Sequence, residues 1–194
     1  MSLIDLLRTK IAGATPRDLP EHDYRRAGVL VPVFERERTP CLLLTKRTDT
    51  VEHHKGQISF PGGRQEIDDP DLLTTALRET YEEIGLDPAR VQVWGRLDEI
   101  ETVVSGFAIT PYVGLIPPPQ DLNLNPFEIA ELVTVPLDAF LDPSNLRVEI
   151  RMRGGERHEI YYYTYPPHVI WGATARIIKG MVALLATPEA EGPP

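Results

Sequence analysis

Hydrophobic positions in this chain fall into short runs that are rich in Val, Leu and Ile and are separated by Pro and Gly. Such runs are typical of β-strands, because branched side chains pack well on a pleated sheet. They predict strands over residues 27–34, 41–46, 91–99, 107–115, 131–135, 147–152 and 158–163. Clusters of Pro and Gly at 117–119, 154–155 and 166–167 favour many short elements over long helices.

Two longer segments carry apolar residues at helical spacing, which predicts helices over residues 70–84 and 173–185. A third, short amphipathic helix is predicted over residues 1–11, where Asp5, Arg8 and Lys10 interrupt the apolar positions and disfavour a signal peptide. Strands outnumber helices and do not alternate regularly with them. This order favours an α+β fold over a doubly wound sheet.

The composition is that of a globular protein. Of 194 residues, 42% are hydrophobic and 25% charged, so we expect a single domain over 1–194, with a flexible tail at 187–194. Cys41, as the one cysteine, excludes a disulfide framework. No apolar run approaches the roughly 20 residues of a membrane span. We therefore expect a soluble, cytoplasmic protein.

The charge balance disfavours two classes of binding partner. With 20 Lys and Arg against 29 Asp and Glu, the net charge is −9. This excess of acid argues against broad contact with nucleic acid or with an anionic membrane, although a local basic pocket stays compatible with it.

Candidate chemistry concentrates in residues 56–86, which read as a loop, a helix and a second loop. We expect a tight turn at 61–63, where glycines let other groups approach the main chain closely. Asp69 is the predicted cap of the helix and Pro70 its first residue, and Gly85 is predicted to end it in a left-handed conformation.

Three carboxylates lie in the last turns of this helix, where the helix dipole disfavours negative charge. Glu79, Glu82 and Glu83 also repel one another, and Arg78 can relieve only one of them. Glutamates on a helix are usually just solvated. The adjacent glycine loop favours a divalent cation instead, since carboxylates suit Mg²⁺ or Mn²⁺ and exposed backbone N–H groups bind phosphate.

The run from Arg78 to Leu86, together with Gly63, resembles the Nudix box. The upstream residues 43–47, Gly56 and 60–63 resemble the additional signature of the coenzyme A pyrophosphatase subfamily, and 170–176 resemble its C-terminal segment.

The chain departs from these patterns in three places. The box has one extra residue, and Asp69 stands where the pattern has Glu, so Asp69 is assigned no metal role. Thr48 and Glu52 replace the usual small residue and Arg of the upstream signature.

The resemblance implies a Nudix fold, with a mixed sheet between helices, and attack of water on a pyrophosphate with Mg²⁺ or Mn²⁺ bound. For coenzyme A the products would be 3′,5′-ADP and 4′-phosphopantetheine. By position, Glu79 and Glu83 would be metal ligands, and Glu82 a third ligand or the base that activates water. Arg78 would orient a glutamate.

For the substrate, the predicted contacts are Arg47, Lys46 and the backbone of Gly62 and Gly63, whereas His54 stays open between a phosphate contact and a solvent-facing residue. Glu128 and Glu131 are reserve bases, although surface acids are the favoured interpretation.

Two alternatives remain at this point. One is a Nudix pyrophosphatase acting on ADP-ribose, NADH or another dinucleotide. The other is a non-catalytic domain that senses a nucleotide; degenerate box carboxylates would point there, and all three are present. Action on capped RNA fits poorly with the acidic charge. The oligomeric state stays open.

Overall fold

The computed structural model describes residues 1–20, 23–48, 56–102 and 106–186. The helices are α1 (Leu3–Ala12), α2 (Leu72–Ile84), α3 (Leu137–Leu141) and α4 (Gly172–Ala186). The strands are β1 (Arg25–Arg36), β2 (Thr39–Arg47), β3 (Ile58–Ser59), β4 (Gly62–Arg64), β5 (Gln92–Arg96), β6 (Ile100–Glu101), β7 (Phe107–Leu115), β8 (Ile129–Pro136), β9 (Leu146–Arg153), β10 (Glu156–Tyr165) and β11 (His168–Trp171). The predicted site residue His54, with Glu52 and the predicted tail, lies outside the described residues.

A mixed sheet forms the centre of the molecule. Its strands run in the order β3-β2-β1-β7-β5, with β4 paired to β1, β6 to β7 and β8 to β2. The pairing of β1 with β7 is parallel and the others are antiparallel. The α+β prediction is therefore confirmed.

Helices pack against both faces of this sheet. Alternate residues of β1 point to opposite faces, so they contribute to two separate core clusters. Val31 and Val33 belong to a core cluster that includes side chains of α1 and α4. Leu30 and Phe34 belong to a second cluster, which includes Ile84 of α2. Residues 27–34 of β1 are all buried, as expected for a strand covered on both faces.

A second, smaller sheet consists of β9, β10 and β11, all antiparallel. The two-residue turn Gly154–Gly155 joins β9 to β10, and both glycines have positive φ, as hairpin turns of this length require. Tyr163 anchors the sheet to the core, where its ring meets Phe140 edge-on at 5.2 Å.

The predicted strands and longer helices are confirmed, with three corrections. Residues 61–63 do not form a tight turn, since Gly62–Arg64 is a short strand that pairs with β1. The strand predicted over 91–99 is shorter and ends at Arg96. Helix α2 begins two residues later than predicted. The sequence pattern also missed α3 and the strands of two to four residues, which are too short to show a period.

Candidate active site

Helix α2 carries the site, and its cap is Asp71 rather than Asp69. The Asp71 carboxylate accepts a hydrogen bond from the Thr74 N–H at 2.7 Å, so the helix begins at Leu72. Pro70 therefore precedes the cap instead of opening the helix. Gly85 ends the helix in the left-handed conformation, with φ of +70°, as predicted.

Asp69 is not a cap because its carboxylate holds Arg78. The Arg78 Nε donates to Oδ1 at 3.0 Å and Nη2 donates to Oδ2 at 2.9 Å, a two-bonded pair. Thr75 and the Glu66 N–H donate to the same carboxylate. These contacts, those of Arg78 above all, hold the pKa of Asp69 well below its usual value.

Arg78 in turn contacts two of the box glutamates. Its Nη1 donates to Glu79 Oε1 at 3.0 Å and to Glu82 Oε2 at 3.2 Å, and Nη2 donates to the Arg64 carbonyl at 3.2 Å. Arg78 therefore connects helix α2 to β4, the strand that contains both glycines. Of the three glutamates, Glu82 has the most exposed side chain.

Glu83 is the most buried carboxylate of the site, with 3% of the residue exposed. Its Oε2 accepts from the Gly62 N–H at 3.2 Å, and its Oε1 lies 3.5 Å from Arg47 Nη1. Burial raises the pKa of Glu83 to about 8 despite these two neighbours. Burial also raises the pKa of Glu79. In the metal-free site, burial therefore disfavours the ionised form of both glutamates.

Gly62 and Gly63 of β4 give these carboxylates room. A Cβ on Gly63 would lie 2.4 Å from Glu79 Cδ, so any other residue would displace the Glu79 carboxylate from this position. Gly62 has a φ of +145°, and a Cβ there would lie 2.4 Å from the Gly28 carbonyl. The predicted close approach at the loop is found, but the Gly62 N–H is directed to Glu83.

Arg47 lies between Glu83 and a carboxylate from outside the box. Its Nη2 is 3.7 Å from Glu128 Oε2, and its Nε is buried with no hydrogen-bond partner in the described part of the chain. Arg47 follows a β-bulge in the pairing of β2 with β8, a feature common beside functional sites.

The structure places the carboxylate of Glu128, one of the two reserve bases, beside Arg47. The Asn125 N–H donates to the Glu83 carbonyl, and the Thr48 N–H to the Glu128 carbonyl, so backbone contacts fix the segment that carries Glu128. No pattern in the sequence predicts that this segment lies beside the box, since its contacts join residues that are far apart along the chain. Glu131 is separate and pairs with Lys46 at 2.8 Å, which lowers the pKa of Glu131.

The charge of the cluster suits a divalent cation. Among the described residues, Asp69, Glu79, Glu82, Glu83 and Glu128 form ion pairs with Arg47 and Arg78, so three negative charges stay unbalanced when all five carboxyl groups are ionised. Across residues 1–20, 23–48, 56–102 and 106–186, no three acidic, His or Cys side chains are already arranged as a metal cage. The two arginines occupy the carboxylates instead. Oxygen ligands with surplus buried charge nevertheless fit a hard cation.

The comparison with known proteins identifies the family. The NUDIX domain model matches residues 24–153, more than half of the chain, so the chain belongs to the Nudix family. It is a Nudix hydrolase by this membership, and proteins of this family generally act on small nucleotide substrates with divalent metal ions.

Its relatives include the Nudix hydrolase NudL of Photorhabdus laumondii, 40% identical over 84% of this chain and 86% of that protein. NudL of Pectobacterium atrosepticum is 42% identical over 82% of each chain. A MutT/nudix family protein from Enterococcus faecalis shares the fold, with a TM-score of 0.54, 13% identity, and coverage of 96% of this chain and 68% of that one. In the described part of the chain, every helix is too short or too polar to cross a membrane.

Proposed function

We propose that this Nudix hydrolase cleaves the pyrophosphate bond of coenzyme A, giving 3′,5′-ADP and 4′-phosphopantetheine, with Mg²⁺ or Mn²⁺ as its metal. One observation carries the proposal. Arg47, which belongs to the upstream signature of the coenzyme A pyrophosphatase subfamily, lies 3.5 Å from the most buried box glutamate. The residues that resemble the subfamily and the residues that resemble the general box thus meet in one cluster.

Glu79 and Glu83 would hold the metal, with Glu82 as a further ligand. When bound, the divalent ion neutralises charge on the diphosphate and favours attack by water. Asp69 and Arg78 keep Glu79 and Glu82 in place, since Arg78 contacts all three carboxylates. Such positioning contacts matter because a small displacement of a metal ligand lowers metal affinity and the rate of the reaction.

Arg47 is suited to a phosphate of the substrate. Its guanidinium group is a planar donor that matches phosphate oxygens, and its buried Nε leaves one donor without a partner in the described structure. A buried donor in this state costs about 1–3 kcal/mol, which a bound phosphate would recover. Lys46, the preceding residue, pairs with Glu131, so it would have to leave Glu131 to serve the same role.

The proton of the attacking water requires a base, for which Glu82 and Glu128 are the candidates. Glu82 is on the helix and is more than half exposed. Glu128 comes from the segment before β8 and faces Arg47. The variants Glu82→Gln and Glu128→Gln distinguish them, because loss of the base lowers kcat and removes the corresponding limb of the pH profile.

A substrate panel tests the proposal. Purified protein with Mg²⁺ or Mn²⁺ receives coenzyme A, ADP-ribose, NADH and diadenosine polyphosphates in separate reactions, and chromatography resolves the products. The expected result is 3′,5′-ADP from coenzyme A, no reaction with EDTA, and the highest kcat/KM for this substrate. A preference for another dinucleotide would overturn the coenzyme A assignment and leave the family chemistry. Binding without turnover would overturn hydrolysis and favour a sensor.

A further inference from the structure

Phe127 is the most exposed aromatic residue in the described part of the chain. It is 81% exposed, against 57% for Tyr81 and 45% for Trp171. Aromatic rings are usually buried, because they remove a large apolar surface from water. A single exposed apolar side chain is nevertheless common on protein surfaces. The place of Phe127 in the fold therefore decides whether the ring has a role.

Phe127 lies at the edge of the charged cluster around Arg47. It directly precedes Glu128, whose Oε2 is 3.7 Å from Arg47 Nη2. Its own carbonyl accepts a hydrogen bond from Thr48 Oγ1 at 3.0 Å, and Thr48 directly follows Arg47. Phe127 is thus joined from two sides to the residue that is proposed to bind a phosphate of the substrate.

Hydrogen bonds hold the backbone of the turn that carries Phe127. The Phe127 N–H donates to Asn125 Oδ1 at 3.1 Å. The N–H groups of Glu128 and Ile129 donate to the Asn125 carbonyl at 3.1 and 2.9 Å, and the Asn125 N–H donates to the Glu83 carbonyl at 2.9 Å. The turn is therefore tied to the helix of the box glutamates. A ring on a fixed backbone loses little further entropy when a ligand binds.

Thr48 is one of the positions at which the chain departs from the upstream signature. Its hydroxyl makes one of the hydrogen bonds that hold the turn, and an alanine at this position would have no donor for the Phe127 carbonyl. The departure at Thr48 and the exposed ring at Phe127 thus belong to one local arrangement beside Arg47.

The chemistry of the ring selects one part of a nucleotide substrate. Phosphates and sugars are polar, whereas a base is a flat π system that stacks on an aromatic face. One ribose separates the base from the phosphates, so the contact for the base has to lie close to the contact for the phosphate. Phe127 meets this condition through its connections to Thr48 and Glu128.

We propose that Phe127 stacks on the base of the nucleotide half of the substrate, which is adenine when the substrate is coenzyme A. This inference rests on the proposed hydrolysis of a nucleotide diphosphate and names the residue that binds the base. Arg47 binds a phosphate and Phe127 the base, so that the two residues together orient the nucleotide. Because every base has a π face, the stack selects a base without distinguishing strongly between bases.

Isothermal titration calorimetry with AMP and ribose 5-phosphate tests the contact, because the two ligands differ only in the base. With Mg²⁺ present, the wild type should bind AMP at least about 10-fold more tightly, as expected for one stacked base. Phe127→Ser should lose this preference and keep the affinity for ribose 5-phosphate. Phe127→Tyr should retain the preference, since its ring also stacks.

Met152→Ser is the matched control, since Met152 is also an exposed apolar residue, at 67%, and belongs to β9 of the small sheet. It should bind both ligands as the wild type does. Serine is tolerated at position 127, because the side chain is mostly exposed, and a thermal melt followed by circular dichroism verifies the fold.

Steady-state kinetics with coenzyme A give a second measurement. Phe127→Ser should raise KM by about 10-fold and change kcat little, because the base contact is the same in the ground state and the transition state. Thr48→Ala should raise KM by a smaller factor, since the turn loses one hydrogen bond. Thr48→Ser keeps the donor and should restore the wild-type KM.

Three outcomes would overturn the inference. They are equal affinity of the wild type for AMP and ribose 5-phosphate, an unchanged preference in Phe127→Ser, and loss of both ligands in that variant, which would make Phe127 a structural residue. The binding test is separate from the substrate panel. A protein that prefers AMP through Phe127 but leaves coenzyme A intact would retain the base contact and refute the proposed substrate.

Discussion

Arg78 and Asp69 lie nine residues apart in sequence and form an ion pair with two hydrogen bonds, at 3.0 and 2.9 Å. Arg78 uses its remaining donors on Glu79, Glu82 and the Arg64 carbonyl. The carboxylate that precedes the helix therefore fixes the guanidinium group that orders two glutamates of the site. This relationship makes Asp69 a positioning residue, whereas its residue type and place before the helix predicted a capping role.

The Asp69–Arg78 pair should make stability depend on pH. The folded pKa of Asp69 lies below its ordinary value of 3.8, so its contribution is present above that value and is lost as the pH falls through the folded pKa. Urea unfolding between about pH 6 and about pH 3 should show Asp69→Asn less stable than the wild type at the upper end, with the difference shrinking at the lower end.

Asp71→Asn is the control for this comparison, because asparagine caps a helix as well as aspartate does. Asp71→Asn should therefore have a free energy of unfolding close to that of the wild type at pH 6. Asp69→Asn should in addition lose about 10- to 100-fold in activity, because Arg78 would no longer be held in place. Equal stability of Asp69→Asn and the wild type at every pH would show that the pair contributes nothing.

Glu83→Gln should separate activity from stability. Removal of a ligand charge is expected to lower kcat by about 100-fold or more with the fold intact. In the metal-free protein the folded pKa of Glu83 is raised to about 8 from 4.5, so the wild type loses stability as the pH rises from 4.5 to about 8. Glutamine has no such loss.

Thermal unfolding in EDTA at both ends of this pH range measures the effect. The variant should equal or exceed the wild type in Tm at high pH. Added Mg²⁺ should raise the Tm of the wild type by more than that of the variant. Wild-type turnover in Glu83→Gln at saturating Mg²⁺ would rule out the metal assignment.

Gly63→Ala should displace Glu79, because a Cβ at Gly63 would lie 2.4 Å from Glu79 Cδ. A shift of a metal ligand by about 1 Å is expected to cost about 100-fold in kcat. Gly180→Ala is the matched control, since Gly180 lies in α4 with open space around it. It should keep full activity and gain about 0.5–1 kcal/mol in stability. Steady-state kinetics and urea unfolding measure both effects, and equal activity in the two variants would contradict the close contact.

Arg47→Ala should raise the KM for coenzyme A more than it lowers kcat, because Arg47 is assigned to ground-state binding of phosphate. The loss of a charge-assisted contact predicts an increase of about 10- to 100-fold in KM. Arg36→Ala, an exposed arginine at the end of β1, is the control and should leave both constants unchanged. An unchanged KM in Arg47→Ala would make Arg47 a structural residue that only balances Glu83 and Glu128.

The local pattern of residues was sufficient to predict most of the longer strands and helices of this protein. The longer strands and helices follow from the periodicity of apolar residues, and Gly85 ends α2 as predicted because few other residues adopt a left-handed backbone. The box glutamates could be proposed as ligands because spacings of three and four residues place them together on a helix. These properties depend on neighbours along the chain, which the sequence contains.

The tertiary structure decided what depends on distant parts of the chain. It directs Asp69 to Arg78 instead of the helix terminus, and it brings Glu128 to Arg47, 81 residues earlier in the chain. It also buries Glu83 deeply enough to raise its pKa. Burial and long-range ion pairing arise only when the sheet, the helix and the segment before β8 meet. Their physical cause is the removal of charged groups from water by packing, which no local pattern of residues records.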